Sequence, residues 1–110
     1  MMFRSVADVA ELNPELPLPV EVAGVRIAVI SADGSYYAVQ DECSHGAVPL
    51  SDGEVIDGTI ECYLHGAAFD LRTGQPRCLP ATEPVAVYPC RVIGAQLEVD
   101  IDNPITSQES

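Results

Sequence analysis

The sequence predicts an all-β domain, an antiparallel sandwich or barrel. Three observations predict it. Apolar residues alternate with polar ones in short runs rich in Val and Ile, the period of a half-buried strand. Glycine-containing turn signals recur between those runs, as in hairpin-built folds. No stretch carries the apolar spacing of a long amphipathic helix. At 110 residues the chain is one domain with one core.

Taken in order, residues 6–12 are expected to form at most a helical turn. Residues 20–22 and 25–31 read as strands around a turn at Ala23-Gly24. Asp33-Gly34 is a hairpin signal, with residues 35–40 as the returning strand. Asp57-Gly58 is a second such signal and leads into a strand over residues 59–62. Residues 69–72 form a short strand that Thr73-Gly74 turns back. Residues 85–93 and 96–101 form the last hairpin, around Gly94-Ala95. The polar end of the chain, from Asn103 on, is expected to fray.

Charge narrows the partners. The formal net charge is −12, and all five basic residues are arginine. Nucleic acid requires a basic face, so it is excluded as a partner, and an anionic membrane surface is excluded for the same reason. From Ile27 to Leu71 there is no Lys or Arg, while Asp33, Asp41, Glu42, Asp52, Glu54, Asp57, Glu61 and Asp70 all fall there. Such a stretch is a solvated face, a docking field for basic protein partners, or both. The first residues lead into Asp8, Glu11 and Glu15 rather than a long apolar run. No secretory leader or membrane span is therefore expected, and the expected location is the cytoplasm, where thiols stay reduced.

The chemistry is concentrated in Cys43-Ser44-His45 and Cys62-Tyr63-Leu64-His65, sixteen residues apart. Both histidines of the chain and two of its four cysteines lie in this C-x-H…C-x-x-H pattern. Two loops that each bring one thiolate and one imidazole together supply four ligands. Tetrahedral zinc is one candidate for that set. The other is a 2Fe–2S centre in which two His replace two Cys on one iron. Zinc modules usually pair like ligands with like, so the mixed pairs fit a two-iron cluster clasped by two similar loops.

Cys43-Ser44-His45-Gly46 and Cys62-Tyr63-Leu64-His65-Gly66 resemble the two halves of the Rieske iron–sulfur motif. Leu50-Ser51-Asp52-Gly53, Asp57-Gly58, Glu61, Phe69-Asp70, Arg72-Thr73-Gly74 and Leu79-Pro80-Ala81 extend the likeness to small bacterial Rieske-type ferredoxins. The resemblance covers residues 3–102. It implies an antiparallel Rieske fold over residues 1–103, with a smaller cluster-binding subdomain at about 41–82 and a polar tail over 104–110. It implies one Rieske-type 2Fe–2S cluster with Cys43 and Cys62 on one iron and His45 and His65 on the outer iron. It also implies that Gly46 and Gly66 let backbone amides approach the cluster sulfurs, and that Leu79-Pro80 covers the cluster.

The departures from the family are informative. Rieske proteins of respiratory and photosynthetic complexes carry an additional Cys in each loop, joined as a disulfide. Val48 and Leu64 stand at those positions here. The same proteins place Ser and Tyr after the second His ligand, where their hydroxyls donate to sulfur. Ala67 and Phe69 stand there in this chain. Hydrogen bonds to sulfur stabilise the reduced cluster, so their loss in an acidic protein implies a potential at the low end of the Rieske range, roughly −150 mV. Cys78 and Cys90 read as small buried hydrophobes rather than ligands.

No histidine is left for a second, mononuclear iron, and no glycine pair forms G-x-G. The chain thus lacks both an oxygenase site and a dinucleotide fingerprint. The resemblance implies a soluble monomeric one-electron carrier with no substrate site of its own. It would pass electrons from an NAD(P)H-dependent flavoprotein ferredoxin reductase to a terminal Rieske oxygenase of aromatic compounds. The alternatives are the Rieske small subunit of an assimilatory nitrite reductase and, more remotely, a zinc-stabilised binding module.

Overall fold

The structure, a computed structural model, describes residues 3–13, 16–32, 34–42, 49–62, 68–77 and 84–105. These residues form three antiparallel sheets and two single 3-10 turns, in agreement with the all-β expectation.

The middle layer is a four-stranded sheet. It contains β2 (Leu18–Val22), β3 (Val25–Ala32), β4 (Ser35–Gln40) and β8 (Val87–Tyr88), in that spatial order. Its centre is β3, where Ile27, Ala28, Val29 and Ile30 are all fully buried. An unbroken apolar run of this kind marks a strand covered on both faces. Ile27 and Val29 belong to one core cluster, and Ala28 and Ile30 to the other. β4 and β8 divide in the same way, with Ala38 and Tyr88 on one side and Val39 and Val87 on the other. Pro19 sits in β2, an edge strand, where a missing ladder donor is tolerated.

On one face lies a three-stranded sheet of β1 (Arg4–Asp8), β10 (Gln96–Val99) and β9 (Cys90–Ile93), in the order β1-β10-β9. Leu97 and Val99 bury themselves against Val22, Ile27, Val29 and Tyr88. On the other face lies the smaller sheet, β5 (Glu54–Ile56), β6 (Thr59–Glu61) and β7 (Ala68–Asp70). Val55, Ile60, Phe69 and Leu71 pack on Ala28, Ile30, Val39 and Val87. Each fully buried Ile, Leu or Phe contributes roughly 1.5–3 kcal/mol. The small sheet is therefore held to the middle layer by side chains rather than by ladder bonds.

The turn signals at Ala23-Gly24 and Asp57-Gly58 are confirmed. Asp57 and Gly58 both take positive φ, +49° and +76°, as a two-residue hairpin turn of the mirror-image type requires. Several boundaries differ from expectation. The helical turn expected over residues 6–12 is a strand, Arg4–Asp8, followed by a 3-10 turn, Val9–Glu11. Pairing with β10 extends the chain there, and Asp8 then caps the turn through the Ala10 amide at 2.9 Å. The strand expected over 85–93 is broken at Pro89 into β8 and β9, which join different sheets. Proline cannot donate to a ladder. β5 was not expected, β7 runs Ala68–Asp70 rather than 69–72, and β10 ends at Val99. The end of the chain is tied down as far as Ile105, whose amide donates to Val87 O at 2.6 Å.

Candidate metal centre

Positions 43–48, 63–67 and 78–83 lie outside the described residues, and the residues flanking each of these three segments are described. Of the expected ligands, Cys62 is described, and Cys43, His45 and His65 lie outside the described residues. So do Gly46, Val48, Leu64, Gly66, Ala67, Cys78, Leu79 and Pro80. Cys62 follows directly on β6. It is buried, not disulfide-bonded, and packed in the cluster of Leu50, Ile60 and Phe69. A buried thiol at the end of a strand, next to the segment that carries His65, suits a thiolate ligand on the protein side of a cluster.

The described flanks are brought together by specific bonds. Asp41, 4% exposed, accepts from the Ser51 amide at 2.7 Å and from the Ser51 hydroxyl at 2.9 Å. This closes the first segment at its base. In the second, Glu61 pairs with Ala68 across β6 and β7. In the third, the Val85 amide donates to Gly74 O at 2.9 Å.

The segments are also joined to one another. Gly53 lies so close to the Glu61 carbonyl that a Cβ would run into its oxygen. The Arg77 amide donates to Ala68 O at 2.7 Å. The Gln40 side chain accepts from the Ala86 amide at 3.1 Å, while the Gln40 amide donates to Ala86 O at 2.8 Å. Asp70 organises the return after β7. Its carboxylate accepts from the amides of Arg72 and Thr73 and pairs with Arg77 at 3.0 Å.

In the sequence Asp41 is one acid among many and Gln40 carries no functional signal. Nothing in either residue type signals a buried bond ten or forty-six residues away. Gly53 was legible only through the resemblance. Cys90 is not disulfide-bonded. Its thiol donates to Tyr36 O at 3.1 Å, and burial pushes its pKa up to about 11. Cys90 is half-buried against the core rather than fully buried as expected, and Cys78, read with it as a small buried hydrophobe, is outside the described residues. Burial also raises the Tyr88 phenol above its ordinary range. Phe69 is fully buried in the core. Among the described residues, no helix is long and apolar enough to cross a membrane.

Comparison with known proteins identifies the family. The family model of the Rieske [2Fe-2S] domain matches residues 3–89. The anthranilate 1,2-dioxygenase ferredoxin subunit of Burkholderia cepacia is 49% identical over 81 residues, 73% of this chain and 75% of that protein. The biphenyl dioxygenase ferredoxin subunit of Pseudomonas sp. strain KKS102 is 39% identical over 101 residues, covering 91% and 93% of the two chains. Among solved structures, the ferredoxin of carbazole 1,9a-dioxygenase from Nocardioides aromaticivorans IC177 superposes with a TM-score of 0.86 at 35% identity. That match covers 90% of this chain and 97% of the other. A structure of reduced oxygenase with oxidised ferredoxin in carbazole 1,9a-dioxygenase contains a similar chain, with a TM-score of 0.83 at 28% identity and coverage of 98% and 97%. A nitrite reductase small subunit from Mycobacterium tuberculosis, described as putative and NADH-dependent, shares the fold with a TM-score of 0.81. At 24% identity, with 89% and 93% covered, that likeness concerns the fold alone.

Proposed function

Because the chain belongs to the Rieske [2Fe-2S] domain family, we propose that it is the ferredoxin component of a ring-hydroxylating dioxygenase system. It carries single electrons from an NAD(P)H-dependent flavoprotein reductase to a terminal Rieske oxygenase acting on an aromatic compound. The observation that carries this reading is the mutual coverage with the biphenyl dioxygenase ferredoxin subunit, 91% of one chain and 93% of the other. The nitrite reductase reading rests on the fold alone. The family decides against a zinc module.

The cofactor is a Rieske-type 2Fe–2S cluster, which when bound stores and releases one electron. Cys43 and Cys62 would hold one iron as thiolates, and His45 and His65 would hold the other as neutral imidazoles. The donor set fits, since two sulfur and two nitrogen donors complete the Rieske arrangement, and Cys62 is a buried thiol free of any disulfide. In this reading the domain spans residues 1–103, with the cluster-binding part at about 41–82, and acts as a cytoplasmic monomer. The acidic stretch from Ile27 to Leu71 raises the rate of encounter with basic partner surfaces.

Turnover tests the reading. The protein, reduced anaerobically through a flavoprotein ferredoxin reductase, is expected to support product formation by a ring-hydroxylating oxygenase. Its reduced form is expected to show a Rieske electron paramagnetic resonance signal. A colourless zinc-loaded protein would overturn the cofactor assignment. A cluster-loaded protein that no such oxygenase can oxidise would overturn the partner.

A further inference from the structure

The bonds around the three segments form a closed cycle. Going round it, Asp41 meets Ser51, Gly53 meets Glu61, and Glu61 pairs with Ala68. Ala68 then bonds Arg77, Gly74 bonds Val85, and Ala86 bonds Gln40, next to Asp41 where the cycle began. The described residues flanking the three segments are thus bonded or packed to one another. Side-chain acceptors enter at two of these contacts only, and they come from the consecutive residues Gln40 and Asp41. The remaining contacts are backbone bonds, which substitution cannot remove selectively, and the close approach at Gly53.

We propose that Gln40 and Asp41 are positioning residues for the 2Fe–2S cluster. They brace the described residues that flank the two ligand-bearing stretches, so that removing either loosens the cluster more than the fold. The proposal rests on the assignment of Cys43, His45, Cys62 and His65 given above. The geometry favours this role over general stabilisation. Asp41 stands two residues before Cys43, and its partner Ser51 lies just beyond the far end of the same segment. Gln40 reaches the return of the third segment with two reciprocal bonds. Groups that orient a metal's ligands from behind typically cost 10- to 100-fold in metal affinity or activity when lost.

A matched control exists in the same chain. Asp100 is also an aspartate, fully buried, and accepts from one amide (Asp102, 3.0 Å) and one side chain (Asn103, 2.9 Å). It follows β10 in the other layer and takes no part in the cycle. The experiment compares cluster-loaded wild type with Asp41→Ala, Gln40→Ala and Asp100→Ala. It measures the rate of cluster bleaching by EDTA, the reduced-state electron paramagnetic resonance spectrum and the melting temperature.

Asp41→Ala and Gln40→Ala are expected to release iron roughly 10- to 100-fold faster than wild type, with shifted or broadened resonances. Asp100→Ala is expected to lower the melting temperature and keep the wild-type release rate and spectrum. Asp41→Asn is expected to restore retention, because an amide oxygen still accepts from the Ser51 amide and its NH2 can donate to the Ser51 hydroxyl. Equal release from Asp41→Ala and Asp100→Ala would overturn the proposal, as would an Asp41→Asn as leaky as Asp41→Ala. If Asp41→Ala does not fold, Ser51→Ala and Gln40→Ala decide, and wild-type release rates in both would overturn it. Wild-type protein lacking any 2Fe–2S signal would overturn the ligand assignment itself. Wild type with a normal signal beside unaltered variants would overturn the positioning role alone.

Discussion

Gly53→Ala is the most exposing substitution, because its cost is steric and not conformational. Gly53 has φ of −93°, a value any residue adopts, so its backbone carries no strain. An added Cβ would run into the Glu61 carbonyl oxygen and crowd the Leu50 carbonyl as well. Glu61 cannot step aside freely. It lies in the central strand of β5-β6-β7, paired to Glu54 on one side and Ala68 on the other. Overfilling a packed site costs about 1–3 kcal/mol, and an immovable backbone atom puts this one at the top of that range. At about 4 °C per kcal/mol for a domain of this size, the melting temperature falls by roughly 10 °C. The comparison is Gly58→Ala. There φ is +76° and no atom lies within reach of a Cβ, so the cost is left-handed strain of about 1–2 kcal/mol. Thermal melts followed by circular dichroism rank the two. Cluster retention separates them further, since moving Glu61 moves Cys62 next to it and altering the Asp57-Gly58 turn does not. A Gly53→Ala protein as stable as wild type, or more stable than Gly58→Ala, would refute the close approach.

Cys62→Ala and His65→Ala are each expected to abolish the cluster in protein that still folds. Iron analysis and the visible spectrum check this, and full iron content in either variant would remove that residue from the ligand set. The midpoint potential is expected at the low end of the Rieske range, roughly −150 mV, since Val48, Leu64, Ala67 and Phe69 supply neither the disulfide nor the hydroxyl donors; a clearly positive midpoint in a potentiometric titration would contradict this. The Cys90 thiol, raised to about 11 by burial, stays protonated where a free thiol near 8.5 already ionises. Its alkylation by iodoacetamide at pH 8 is expected to be about a hundredfold slower than that of an unhindered cysteine, rising with pH towards about 11 as the reactive thiolate forms. Peptide mapping by mass spectrometry reads the rate, and fast modification at pH 8 would mean that the site is open.

The parts of the fold written in local chemistry were legible. Asp57-Gly58 and Ala23-Gly24 signal tight turns because glycine, and more rarely aspartate, accepts positive φ. The run Ile27 to Ile30 signals a strand whatever covers it. Which sheet each strand joins was not legible, because it depends on partners distant in sequence. Residues 85–93 look like one strand, and only pairing with β4 before Pro89 and with β10 after it divides them. β1 was hidden for the same reason, as Arg4–Asp8 has little alternation and is extended by β10. The metal chemistry was the most legible feature, since two Cys/His pairs at that spacing have few other uses. The bonds that brace the site were the least legible. Gln40 and Asp41 look like ordinary polar residues at a strand end until their partners at Ala86 and Ser51 are placed beside them.

The layered core suggests how the two halves respond when iron is removed. The half built from Leu12, Val22, Ile27, Val29, Ala38, Tyr88, Leu97 and Val99 contains no expected ligand. It takes one face of the long β3-β4 hairpin and both edges of the β1-β10-β9 sheet. The other half depends on β5, β6 and β7, each three residues long. Its cluster includes Cys62 itself. A sheet of such short strands is marginal alone, and metal ligation that links the two ligand-bearing stretches contributes directly to folding. Chelating the iron is therefore expected to speed amide exchange at Val55, Ile60 and Phe69 well before it does so at Ile27, Val29 and Leu97. Ile30, Val39 and Val87, which face the small sheet from the middle layer, should fall between. Hydrogen exchange with mass spectrometry on cluster-loaded and iron-free protein resolves these groups by peptide. Uniform acceleration across both halves would mean that the domain unfolds as one unit, and that the middle sheet couples its two faces instead of separating them.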